Sequence, residues 1–129
     1  MRVIFASRHE PTGEQVADLR SILGGEVRVE VRALVWANED EVERVADISD
    51  VLVGVFPQAL ALRIGYLGGI EVEHPGTAPW VRRVWTSETV PVAARDGEAR
   101  RFAHVRFVGA DGLDVRRPGA VGRLSLIHI

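Results

Sequence analysis

The sequence predicts an α/β sandwich built on a mainly parallel sheet, with a β-hairpin added at its C-terminal side. Three observations carry that expectation. Val3–Ala6 and Val51–Phe56 are short, continuous apolar runs, as expected of strands covered on both faces. Each is followed by a helix signal, so strand and helix alternate through the first half of the chain. Further on, Asp96-Gly97 is a hairpin signal between Val81–Val92 and Arg101–Val108.

Each element has its own justification. After Val3–Ala6, Thr12 and Gln15 have the spacing of a capping box, and Val16, Leu19 and Leu23 then form one apolar stripe. Gly24-Gly25 ends that helix. Glu26–Trp36 alternates, with Val27, Val29, Val31, Ala33 and Val35 opposed by Arg28, Glu30 and Arg32. One face is therefore wet, which puts this strand at an edge. Asn38 and Glu41 cap a second helix, whose buried side is Val42, Val45 and Ala46. Val51–Phe56 joins the sheet centre, Pro57 takes the first helical position, and Gln58–Leu67 is apolar enough for a short buried helix broken by Gly65, Gly68 and Gly69.

Strand–helix repetition of this kind implies right-handed crossovers and a Rossmann-like three-layer sandwich. With the Val27 strand at the edge, the order is second strand, first strand, third strand. A crevice then opens between the first and third strands. Beyond Ile70 the pattern is less regular. His74-Pro75-Gly76 reads as a turn, and Val81–Val92 as one or two strands interrupted at Pro91. Residues 1–109 are expected to form a single domain. Residues 110–129 are expected to be a disordered tail, and Leu124–Ile129 resembles translated sequencing-adapter sequence, a terminal strand being the alternative.

Composition narrows the chemistry. The 129 residues are 47% hydrophobic and 26% charged, which fits a globular domain. With no cysteine, thiol catalysis and zinc-thiolate sites are excluded. All 16 basic side chains are Arg, so no Schiff-base or P-loop lysine exists. The net charge of −2 argues against binding long nucleic acid on a broad basic face. Charge is nevertheless uneven, six Arg against eleven acids in residues 1–50 and ten Arg against seven acids thereafter. No apolar run is long enough for a membrane span and the N-terminus lacks a signal-peptide pattern, so a cytoplasmic location is expected. Dinucleotide-fingerprint, nucleophile-elbow and tight metal-ligand spacings are missing, and neither cofactor nor metal is expected.

The candidate site residues gather at predicted strand ends. Ser7, Arg8 and His9 follow the first strand, where His9 can move a proton and Arg8 can grip a phosphate oxygen. Thr12 and the free amides of the first helical turn add an anion-binding terminus. Gly54, Pro57 and Gln58 lie at the end of the third strand and the start of its helix, and Ser87 in Thr86–Thr89 forms a third rim if Val81–Trp85 is the fourth strand. Each has a plainer alternative: an Arg8–Glu10 surface pair with His9 packed under the loop, a packing glycine at Gly54, a polar turn at Ser87. Arg82, Arg83, Arg100, Arg101 and His104 are either an anion-binding surface or a solvated strand face.

Ala6-Ser7-Arg8-His9 together with Val53–Ala61 resembles a pattern in small CRISPR-associated accessory proteins of the Csx type. It is also similar to proteins of phages and thermophilic prokaryotes. The resemblance covers roughly residues 2–67, with short motifs. It implies a Rossmann-like fold, a homodimer, and binding or metal-independent cleavage of cyclic oligoadenylate in antiviral signalling or phage counter-defence. A ribose 2′-hydroxyl would attack the adjacent phosphate in line. The resemblance gives His9 the proton transfer, Arg8 the phosphate charge, and Gln58 with Ser7 the positioning of ribose or phosphate. A non-catalytic interaction module without a nucleotide ligand is the alternative.

Overall fold

Val3, Ile4, Val51 and Leu52 are at most 1% exposed, so the two apolar runs do occupy the middle of the sheet. The computed structural model describes residues 1–34, 38–66, 69–72, 80–93, 97 and 101–116. Within them β1 (Arg2–Ala6) pairs in parallel with both β2 (Arg28–Arg32) and β3 (Val51–Val53). β6 (Val84–Val92) joins β3 in parallel, and β7 (Arg101–Val108) closes the sheet antiparallel to β6. The order is β2-β1-β3-β6-β7. A separate antiparallel pair is made by β4 (Gly69–Glu71) and β5 (Trp80–Arg82).

Alternate side chains of the central strands feed two cores. Val3, Phe5, Val51 and Val53 pack with Leu19, Ile22 and Leu23 of α1 (Gly13–Leu23), and with Trp85, Phe107 and Val115. Ile4 and Leu52 point the other way, onto α2 (Glu39–Ile48) and α3 (Gln58–Tyr66). Helices thus cover both faces of a mixed sheet. Burying one such aliphatic side chain contributes about 1.5–3 kcal/mol, so the continuous runs specify the layers.

Helix starts follow the sequence closely. Thr12 Oγ1 accepts from the Gln15 amide at 3.2 Å, and Gln15 Oε1 accepts from the Thr12 amide at 2.9 Å, a complete capping box. Asn38 Oδ1 accepts from the Glu41 amide at 3.3 Å. α2 has no basic residue in its last turn; Arg83 supplies one from the sheet, donating to the carbonyls of Ala46 and Ser49. β2 is an edge as expected, with Arg28 and Arg32 exposed and Val29 and Val31 half-buried.

Several expectations change. The α1 stripe is Leu19, Ile22 and Leu23, with Val16 only half-buried. β3 stops at Val53, and Pro57 precedes α3 rather than opening it, its carbonyl accepting from the Ala61 amide at 2.9 Å. α3 buries one side only: Leu60, Ala61 and Ile64 are covered while Leu62 is 47% exposed. The strand break falls at Arg83, where Arg83 turns out to cap α2, and not at Pro91, which pairs with Phe102 near the turn end of the hairpin. The packed chain also runs past residue 109. Val108 bridges Asp114, and Val115 is fully buried in the α1-side core, so residues 110–116 are folded. Gly97 lies in the hairpin turn with φ of 84°. Val35, His74-Pro75-Gly76, Asp96, Arg100 and residues 117–129 lie outside the described residues.

Candidate functional site

The carboxyl ends of β1 and β3 lie side by side, since Phe5 pairs with Val53. β1 leads through α1 to β2 on one side, while the next crossover returns to β3 on the other. This is the point in the sheet where strand order reverses, and open α/β sheets bind ligands there. The chain leaving β1 here is Ser7-Arg8-His9. Ser7 Oγ accepts from the His9 amide at 3.1 Å and holds the turn. Arg8, His9 and Glu10 are all exposed. Among the described residues the Arg8 and His9 side chains make no hydrogen bond or ion pair, so neither the Arg8–Glu10 pair nor a packed His9 is formed.

The remaining expected site residues are largely committed to the fold. Thr12 is occupied by the capping box. A Cβ on Gly54 would lie 2.9 Å from the Phe56 ring and 3.0 Å from Ala6 Cβ, so this glycine permits close packing. Its carbonyl accepts from Thr86 Oγ1 at 2.9 Å. Pro57 and Gln58 are exposed, and Gln58 Nε2 donates to the Ala110 carbonyl at 3.3 Å. That leaves Gln58 Oε1, Arg8 and His9 as polar groups facing solvent at this end of the sheet.

Ser87 is not a loop residue. It sits inside β6 opposite Phe107, on the α1 side of the sheet. There it joins a chain of hydrogen bonds that residue spacing did not suggest. Gln15 Nε2 donates to Ser87 Oγ at 3.2 Å, and Ser87 Oγ meets His104 Nδ1 at 2.6 Å. His104 Nε2 meets Asp18 Oδ2 at 2.7 Å, and Arg116 Nη2 donates to Asp18 Oδ1 at 2.8 Å. The His104 side chain is only 3% exposed and its ring lies 4.5 Å from that of Phe107. It is therefore neither solvated nor part of an exposed cationic surface.

A β-bulge makes this possible. The register of β6 with β7 shifts between Glu88 and Thr89, so that Glu88 faces Arg106 while Thr89 faces His104. Val105 is the extra residue and is 49% exposed. In a regular strand, positions 104 and 107 point to opposite faces; the bulge returns His104 to the face of Phe107 and Ser87.

Burial raises the Asp18 pKa, but hydrogen bonds from His104 and Arg116 outweigh it, and the carboxyl is held below its ordinary value. The ionised carboxylate calls for a donor from His104 Nε2. Gln15 already donates to Ser87 Oγ, which frees the serine proton for the Nδ1 lone pair. Hydrogen-bond arithmetic for a neutral imidazole thus orders the chain as serine O–H to His104, and His104 N–H to Asp18.

A broad cleft of about 730 Å³ lies elsewhere, at the opposite end of the sheet, lined by Met1, Arg2, Gly25, Val27, Arg28 and Asp50. Its polar walls are tied into the fold: Arg2 pairs with Glu30 at 2.7 Å, and Asp50 Oδ2 accepts from the Arg2 amide at 2.6 Å. Among the described residues no group of three acidic or histidine side chains is placed to hold a metal ion, and no helix is long and apolar enough to cross a membrane. No known protein family, curated protein or solved structure matches the chain.

Proposed function

We propose that the chain is a Rossmann-like nucleotide-handling protein whose ligand, a cyclic oligoadenylate, binds where β1 and β3 end. The observation carrying this reading is the pair Arg8 and His9, exposed and without protein partners among the described residues at the reversal point of the sheet. A guanidinium held there suits a phosphate. An imidazole one residue on suits proton transfer to or from a ribose oxygen. The resemblance of Ala6–His9 and Val53–Ala61 to Csx-type proteins supports the choice of a cyclic oligoadenylate, and with it a role in antiviral signalling or a phage's answer to it. A two-fold ligand favours a homodimer that presents both Arg8–His9 loops on one face.

Incubation with cyclic tri-, tetra- and hexa-adenylate, with binding measured by calorimetry and products resolved by chromatography, tests the reading. Arg8→Ala is expected to weaken binding by roughly 10- to 150-fold, the range of a charge-assisted contact worth about 1.5–3 kcal/mol. His9→Ala should keep binding and slow any cleavage by ~10²–10⁴-fold. Failure of all three rings to bind, with the parent folded, refutes the proposal.

A second reading is favoured by a different observation. The outer half of the β6–β7 hairpin carries Val90, Val92 and Phe102, which are 46%, 45% and 60% exposed. An apolar arm of this kind suits a protein-interaction module that needs no nucleotide.

A further inference from the structure

We infer that Ser87 is an activated nucleophile, with His104 as its general base and Asp18 orienting that base, in a second site distinct from Arg8–His9 that acts on a small carboxylic ester. Three features of the geometry carry this. The serine Oγ lies 2.6 Å from one imidazole nitrogen and the carboxylate lies 2.7 Å from the other, the serial contact that converts a hydroxyl into a nucleophile. The base is shielded, with its side chain 3% exposed, whereas Ser87 is only partly buried and can be approached. Finally, Gln15 Nε2 stands 3.2 Å from Ser87 Oγ and is fixed by its own capping contact. One of its two N–H groups goes to Ser87, and the other has no partner among the described residues. That donor is placed beside the reacting oxygen, where a developing oxyanion needs one.

The step balances without an added reagent. Ser87 Oγ forms a bond to the ester carbonyl carbon while its proton passes to His104 Nδ1. The carbonyl electron pair moves onto oxygen, towards Gln15. Collapse of this intermediate breaks the bond to the alcohol, which leaves with the proton from His104. Water then repeats the sequence on the acyl-serine and releases the acid. Asp18, kept ionised by Arg116, stabilises the imidazolium formed in each half. The charged groups around His104 are Asp18 on α1 and Arg116 after β7; Ser87 on β6 and Gln15 on α1 are neutral.

The test is labelling of the whole chain by an alkyl fluorophosphonate, read by intact mass and peptide mapping, beside turnover of p-nitrophenyl acetate. One label is expected, at Ser87 and not at Ser7, Ser21 or Ser49. Its rate should rise with pH and level off as a single proton leaves the base. Ser87→Ala should abolish it, and His104→Gln should slow it by ~10²-fold or more. If His104→Gln does not fold, the pH profile of the parent decides: a flat profile overturns the proposal. An unlabelled Ser87 in folded parent, or equal labelling of parent and His104→Gln, also overturns it and leaves the chain as a clamp between α1 and the hairpin.

Discussion

Arg8 and His9 stand at the same end of the sheet as Asp18, Ser87 and His104, yet the two groups are built in opposite ways. The first pair is exposed, and its side chains have no hydrogen-bond or ion-pair partner among the described residues. In the second group every titratable or hydroxyl atom is hydrogen-bonded, and the imidazole is packed on Phe107. The contrast separates two meanings of a polar residue near a strand end. Residues of the first kind can change without harming the fold; those of the second kind hold α1, the hairpin and residues 110–116 together, and any chemistry they perform is bound up with stability.

Mutations can break this contrast. The largest effect is expected from Phe107→Ala, which removes a fully buried ring packed at a tilt against both Trp85 and His104. Denaturant titration should show a loss of about 3–5 kcal/mol. His104→Ala comes next, at about 1–3 kcal/mol, because Ser87 and Asp18 each lose a partner in a largely covered site. His9→Ala, measured the same way, should stay within about 0.5 kcal/mol. Equal losses for the two histidines would erase the distinction.

A smaller effect follows from pH. Asp18 titrates lower in the folded chain than in the unfolded one. Its contribution is therefore fully present above the unfolded carboxyl value of about 3.9 and is lost as pH falls through the folded value. Melting temperatures of the parent should drop more steeply below about pH 4 than those of Asp18→Asn, which lacks this titration. The smallest change is expected for Arg116→Ala, since its side chain is 37% exposed. A loss of about 1 kcal/mol or less, by thermal melting, is the expectation for such a pair. A much larger loss would make the segment after β7 a principal brace of α1.

What was legible in the sequence was whatever depends on local periodicity. Two unbroken apolar runs placed β1 and β3 at the centre, alternation from Val27 to Val31 placed β2 at the edge, and Thr12 with Gln15 located the start of α1 to the residue. The exposed position of Arg8 and His9 was legible because they directly follow a strand of the sheet centre. The Ser87 network was not legible, for two physical reasons. Asp18 and His104 are 86 positions apart and meet only after the sheet closes. Moreover, simple alternation puts His104 on the wrong face, and the bulge at Val105 that corrects it leaves no compositional mark. The fold of residues 110–116 was missed because this short stretch shows no apolar periodicity, and Val115 is its one fully buried side chain.

The exposed face of β2 has a consequence for how copies of this chain meet. An edge strand offers a row of unpaired amides and carbonyls on which another strand can add. On β2 that row is flanked by Arg28, Glu30 and Arg32, with Glu30 already bridged to Arg2 of the neighbouring strand. A strand docking there would have to strip water from three charges and disturb that bridge. The β2 edge is thus guarded against sheet extension and aggregation, while the opposite edge, β7, exposes Phe102 and Val105.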